Sequence, residues 1–167
     1  MKTWSEAMHD GAISGGVASL LSTVVLGAAG ERENNTPYAP TNAISHWLWG
    51  DRAVRKEGPS ARYTAVGYTI HHASSTLWAI LYEKWFGEMA DRKRITPALA
   101  AGAAVAGMAC FVDYKLTPQR LKPGFEKRLS TPAMFLVYAS FGAALALRGL
   151  ATPRRRPRLV RAFPLYQ

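Results

Sequence analysis

The side chains able to do chemistry in this chain are few, and they fall in three places. His46 lies in a segment of mixed polarity. His71 and His72 are adjacent in an apolar stretch. Asp113 opens a charged segment that also holds Arg120, Glu126 and Arg128. Histidines with a carboxylate can hold a transition metal or haem iron, and the candidate ligands would be His46, His71 and His72. A His–Asp pair can instead relay protons, handle a small solute, or serve as general base in a lipid-handling enzyme. The same groups can also hydrogen-bond across helices and fix their packing. This last reading is preferred. Neighbouring residues on a helix project about 100° apart, so His71 and His72 do not readily point at one ion. The expectation is therefore no cofactor, with haem or a transition metal as the alternative.

No established enzyme motif accompanies these residues. The chain has no GxSxG, no phosphate-binding P-loop, no GxGxxG opening a helix after a strand and no HExxH. Its single cysteine, Cys110, rules out an intrachain disulfide and a cysteine-based metal site within one chain. Whether the chain is an enzyme is left open by these residues, with a non-enzymatic role the favoured reading.

The elements that position these residues are apolar runs. The mean hydropathy of −0.07 conceals them, because polar residues gather in loops and tail. Four runs have the length of membrane spans, at about 11–30, 65–86, 96–114 and 131–149. The first is uncharged, with Gly11, Gly15, Ala18 and Ser22 at helical spacing. Its GxxxG is expected to serve packing within the chain. Ala28-Ala29-Gly30 is small enough for signal cleavage, but Lys2 is offset by Glu6 and Asp10, a poor basic leader, so retention is expected. The second run carries His72, Thr76, Ala79 and Glu83 on one face, a polar and small stripe that should meet other helices. The third and fourth open on Thr96-Pro97 and Thr131-Pro132, each a threonine cap before a first-turn proline. In the first loop, residues 41–50 predict a short amphipathic helix at the interface, with Thr41 as cap and Gly50 as end. The expected fold is an all-α integral membrane four-helix bundle over residues 1–150, with a basic tail at 151–167.

Charge and topology refine this. Lys and Arg total 21 against 11 acids, a net +10. In a soluble protein that excess would suggest nucleic acid. Beside apolar spans it points to the lipid bilayer, with the arginine-rich tail on anionic headgroups. With four spans, both termini share a side. Placing them in the cytoplasm puts eleven of the 21 basic residues there and ten on the other face. The Arg92-Lys93-Arg94 loop and the tail adjoin span ends, where the positive-inside rule weighs most, and favour that orientation. In either orientation His46, His71, His72, Asp113, Arg120, Glu126 and Arg128 fall on one face, with Glu83 and Lys84 at the far end of the second span. Asp113 is expected to pair with Arg120 or Arg128 in a folded loop whose Phe125 dips back into the apolar zone.

The stretches NAISHWLWGD (42–51), HHASSTLWAILYE (71–83) and DYKLTPQRLKPGFEKRLS (113–130) resemble short proteobacterial inner-membrane proteins of unknown function. In layout, with a long first loop, the chain is similar to the YagU-like membrane proteins. The resemblance implies a bacterial inner membrane and supplies no catalytic residue. The expected role is a structural, accessory or assembly subunit of a membrane complex, with a protein partner or a second copy. The alternative is a His/Asp site for haem, metal, protons or a small solute.

Overall fold

The computed structural model describes residues 1–153, whose regular elements are all helices, with no strand among them. The expected basic tail lies almost wholly outside the described residues. Eight α-helices follow in chain order: α1 (Trp4–Asn34), α2 (Ala39–Ile44), α3 (His46–Trp49), α4 (Asp51–Val54), α5 (Val66–Trp85), α6 (Gly87–Asp91), α7 (Ile95–Phe111) and α8 (Thr131–Ala151). A π-helical turn, Ala61–Ala65, leads into α5, and a second, Val112–Leu116, extends α7.

Three helices are long and apolar enough to cross a membrane: α1, α7 with its π extension, and α8. The second expected span, α5, falls short. His71, His72, Glu83, Lys84 and several hydroxyls lower its hydropathy, although its 20 residues give it the length.

Helix α1 runs beside both α5 and α8, and α7 lies on α8. Glycine sets two of these approaches. A Cβ on Gly11 would lie 2.6 Å from Ile80, and one on Gly15 would lie 2.6 Å from the backbone of Thr76. The GxxxG of α1 therefore meets α5 within the chain. A Cβ on Gly142 of α8 would come within 2.8 Å of the Gly102 carbonyl of α7. Small side chains at these positions let backbones approach closely and gain van der Waals contact without help from water.

The helix starts differ from the expected caps. Helix α8 begins at Thr131, and the residue before it, Ser130, accepts the Ala133 N–H. The Glu33 carboxylate in turn takes both the N–H and the hydroxyl of Ser130, at 2.7 and 2.6 Å, which explains why Ser130 and not Thr131 is the cap. Helix α7 begins at Ile95 with no side-chain cap. At α1 the cap is reciprocal: Thr3 accepts the Glu6 N–H, and the Glu6 carboxylate accepts the Thr3 N–H. Lys93, at φ 62° between α6 and α7, turns its ammonium onto the last carbonyls of α8 and donates to Gly149 and Leu150 at 2.7 Å each.

The first loop is not one amphipathic helix. It forms α2, α3 and α4, and every residue of α2 is buried. Asn42 makes this possible, because its amide donates to the Lys56 and Gly58 carbonyls and its oxygen accepts from Thr64, so a polar residue stays satisfied in the interior. Gly15→Val should destabilise the fold by about 1–3 kcal/mol through overpacking against Thr76. Gly107→Ala, where a Cβ meets nothing within 4 Å, should be neutral or slightly stabilising. Thermal melts followed by circular dichroism in a mild detergent compare the two.

Candidate functional site

Helices α5 and α7 make few direct contacts, one of them the Tyr82 hydroxyl, which donates to the Ala98 carbonyl at 3.1 Å. The space between α5 and the α7–α8 pair is a crevice of about 280 Å³. Ile70, His71, Ser74, Ser75 and Trp78 of α5 form one wall, and Val137, Tyr138 and Phe141 of α8 stand opposite. Ala109 of α7 and Val112 and Asp113 of the π turn complete the lining, with Trp47, Leu121 and Phe125 closing the loop end. That closure is hydrogen-bonded: the Trp47 indole N–H donates to the Lys122 carbonyl at 2.8 Å.

Two of the expected site residues, His71 and Asp113, line this crevice. The π turn adds a residue to the helical repeat, a device that re-aims side chains and recurs at functional sites. Asp113 accepts a 2.6 Å hydrogen bond from the Tyr138 hydroxyl. Tyr138 in turn packs edge-on with Tyr114 and tilted against Phe125, at ring separations of 6.3 and 6.1 Å.

The partners of each histidine fix where its proton sits. The Ser22 hydroxyl donates its one hydrogen to the Ala18 carbonyl at 2.7 Å, so it accepts from His71 Nε2–H at 2.8 Å. That leaves His71 Nδ1 with a lone pair. By the same count, the Ser19 hydroxyl donates to the Gly16 carbonyl and accepts from His72 Nδ1–H at 2.9 Å. His46 Nδ1–H donates to the Ala43 carbonyl at 3.0 Å, and its Nε2 is buried without a partner.

The remaining expected residues disperse. His72 turns to α1 and Tyr68. Arg120 is exposed. Arg128 donates to the Val54 carbonyl and pairs with Glu57 at 3.5 Å. One carboxylate oxygen of Glu126 is buried without a hydrogen bond. Asp113 therefore pairs with neither arginine. The ion pairs of this loop run to the first loop instead, through Arg128–Glu57 and Lys127–Asp51. Among the described residues no three His, Cys, Asp or Glu side chains are placed to hold a metal ion.

Sequence reasoning missed the densest polar cluster, at the other end of the helices. The Lys2 ammonium contacts Asp10 at 2.7 Å, Glu83 at 2.5 Å and Asp91 at 2.9 Å. The Arg148 guanidinium grips both oxygens of Glu83, at 2.8 and 2.9 Å, and reaches Asp91 at 2.8 Å and Asp10 at 3.3 Å. Ser14 donates to Glu83 at 2.9 Å. All five charged residues are under 9% exposed. In sequence these residues look like ordinary span flanks. The available signal was that Glu83 sits in an apolar run whose partner must be a cation.

Comparison with protein-family models, with curated proteins and with solved structures finds no match in any of the three.

Arg148→Met should cost about 3–5 kcal/mol, because it strands buried carboxylates. Adding Glu83→Gln to that variant should cost less than the two single losses together, as read in a double-mutant cycle of detergent melts. Burial alone would push the Lys2 ammonium down, but its bonds to Asp10, Glu83 and Asp91 outweigh this and raise it above its ordinary 10.5. A raised folded value contributes stability that is complete below 10.5 and is lost as pH climbs through the folded value. Melting temperature should therefore fall on the alkaline side, and Lys2→Met should flatten that limb.

Proposed function

We propose that this protein is a multi-pass component of a bacterial inner membrane that receives a membrane-dissolved amphipathic molecule in the crevice between α5 and the α7–α8 pair. The observation that carries the reading is the crevice itself: apolar and aromatic walls with a few convergent polar groups, His71, Asp113 and Tyr138. An apolar body would lie along Ile70, Trp78 and Phe141, and its polar group would sit beside Asp113.

In this reading α5 crosses the membrane as a fourth span. Support comes from which of its residues are exposed. Thr69, Ala73, Leu77 and Trp85 face outward and none is ionisable, while His72, Thr76 and Glu83 are turned to α1 or the charge network. Both termini then lie in the cytoplasm, with the arginine-rich tail on anionic headgroups.

Native mass spectrometry of protein extracted in mild detergent tests the crevice. A small amphiphile should accompany the wild-type chain, and Ser75→Phe combined with Val137→Phe, which fills the space, should lose it. Equal retention by both proteins, or none by either, would sink the reading.

A second reading, an assembly subunit, draws on a groove of about 370 Å³ on the outer side of α7 and α8. Ala103, Gly107, Cys110, Met134 and Phe135 line it, open enough for a neighbouring helix. Cys110 labelled with a photoactivatable maleimide and illuminated in native membranes should trap that neighbour, and the absence of any adduct would count against it.

A further inference from the structure

We propose that the ligand of the crevice is a lipophilic amine, an ammonium group on an apolar body. This rests on the reading of the crevice as a binding site and names the chemistry of its occupant.

The lining contains one carboxylate, Asp113, and no lysine or arginine. Nothing there would neutralise a phosphate or a carboxylate, so an anionic lipid head would leave two like charges unscreened in a medium of low dielectric. The loop cations that might have served Asp113 are absent from it: Arg128 is committed to Val54 and Glu57, and Arg120 is exposed. Asp113 has no ion-pair partner among the described residues; its one hydrogen bond comes from Tyr138, at 2.6 Å on Oδ2. A carboxylate at membrane depth without a cation is costly, and a cation from outside the chain removes that cost.

The free valences on the other polar groups point the same way. His71 donates from Nε2 to Ser22, which leaves Nδ1 as an acceptor. Asp113 keeps its second oxygen as an acceptor. An ammonium brings only donors, which suits a crevice whose polar lining offers acceptors. A ketone or quinone carbonyl would bring further acceptors to a site that already has them. Trp47, Trp78 and Tyr138 supply aromatic faces and edges along the same walls, and a cation held near such rings gains attraction from their quadrupoles.

The test uses the full chain in detergent and three radiolabelled probes of equal length, dodecylamine, dodecanol and dodecanoate, by equilibrium binding. Dodecylamine should bind saturably, one per chain. Dodecanol should bind at least about tenfold more weakly, and Asp113→Asn should weaken the amine by a similar factor. The amine–alcohol comparison needs no variant, so it decides even if Asp113→Asn does not fold. Equal binding of amine and alcohol, or tighter binding of dodecanoate, would overturn the amine class and leave the crevice reading intact. Failure of all three probes to bind saturably would overturn the crevice reading and the amine with it.

Discussion

Five charges removed from water hold one end of this molecule together. Two cations, Lys2 and Arg148, face three carboxylates from α1, α5 and α6. Each ion taken from water costs several kcal/mol, and only close, multiply hydrogen-bonded geometry offsets it. The geometry here meets that demand, because Glu83 accepts from Lys2, from Ser14 and from Arg148 through two nitrogens. The result is directional where apolar packing is not. Small side chains can slide along one another, but Arg148 can grip Glu83 in one register only. Position along α8 is therefore tied to position along α5, although their direct contact is slight.

This explains why a crevice can persist. The charge network clamps the helices at one end, and the Trp47–Lys122 bond, the Glu33 cap on Ser130 and the buried Phe125 close the other. Between the two, α5 and α7 make few direct contacts, so little packing force draws them together. The separation also keeps two polar chemistries apart. The charged end is saturated by internal partners. The His71–Asp113–Tyr138 end keeps free valences, which is where a ligand gains most.

Much of the architecture was legible in the residues. Long apolar runs, Pro97, Pro132 and the glycines of α1 located the long helices and their close-packed faces, because those signals are local or periodic. Three things were not legible. The apolar average of α5 fell short since its polar groups answer to α1, a neighbour that spacing along one helix does not identify. Ser130 displaced Thr131 as cap because Glu33, almost a hundred residues away, holds it there. Lys2, Asp10, Asp91 and Arg148 looked like span flanks because the pairing of charges distant in sequence depends on the finished fold. The shared face of His46, His71, His72 and Asp113 was a topological inference, and topology brings residues to one side without bringing them to one point. Each histidine found a nearby serine or carbonyl first.

The network also bears on how the chain is made. Synthesis proceeds from Lys2 to Arg148, so the nascent chain holds Lys2 and Asp10 first, then Glu83 and Asp91 with the single cation. Through that interval α5 carries a carboxylate whose best partner has not yet left the ribosome. Only the last turns of α8 deliver it. The least apolar of the long helices thus depends for its settled place on α8, the last of the described helices to be translated, and the clamp on α5 is completed backwards along the chain.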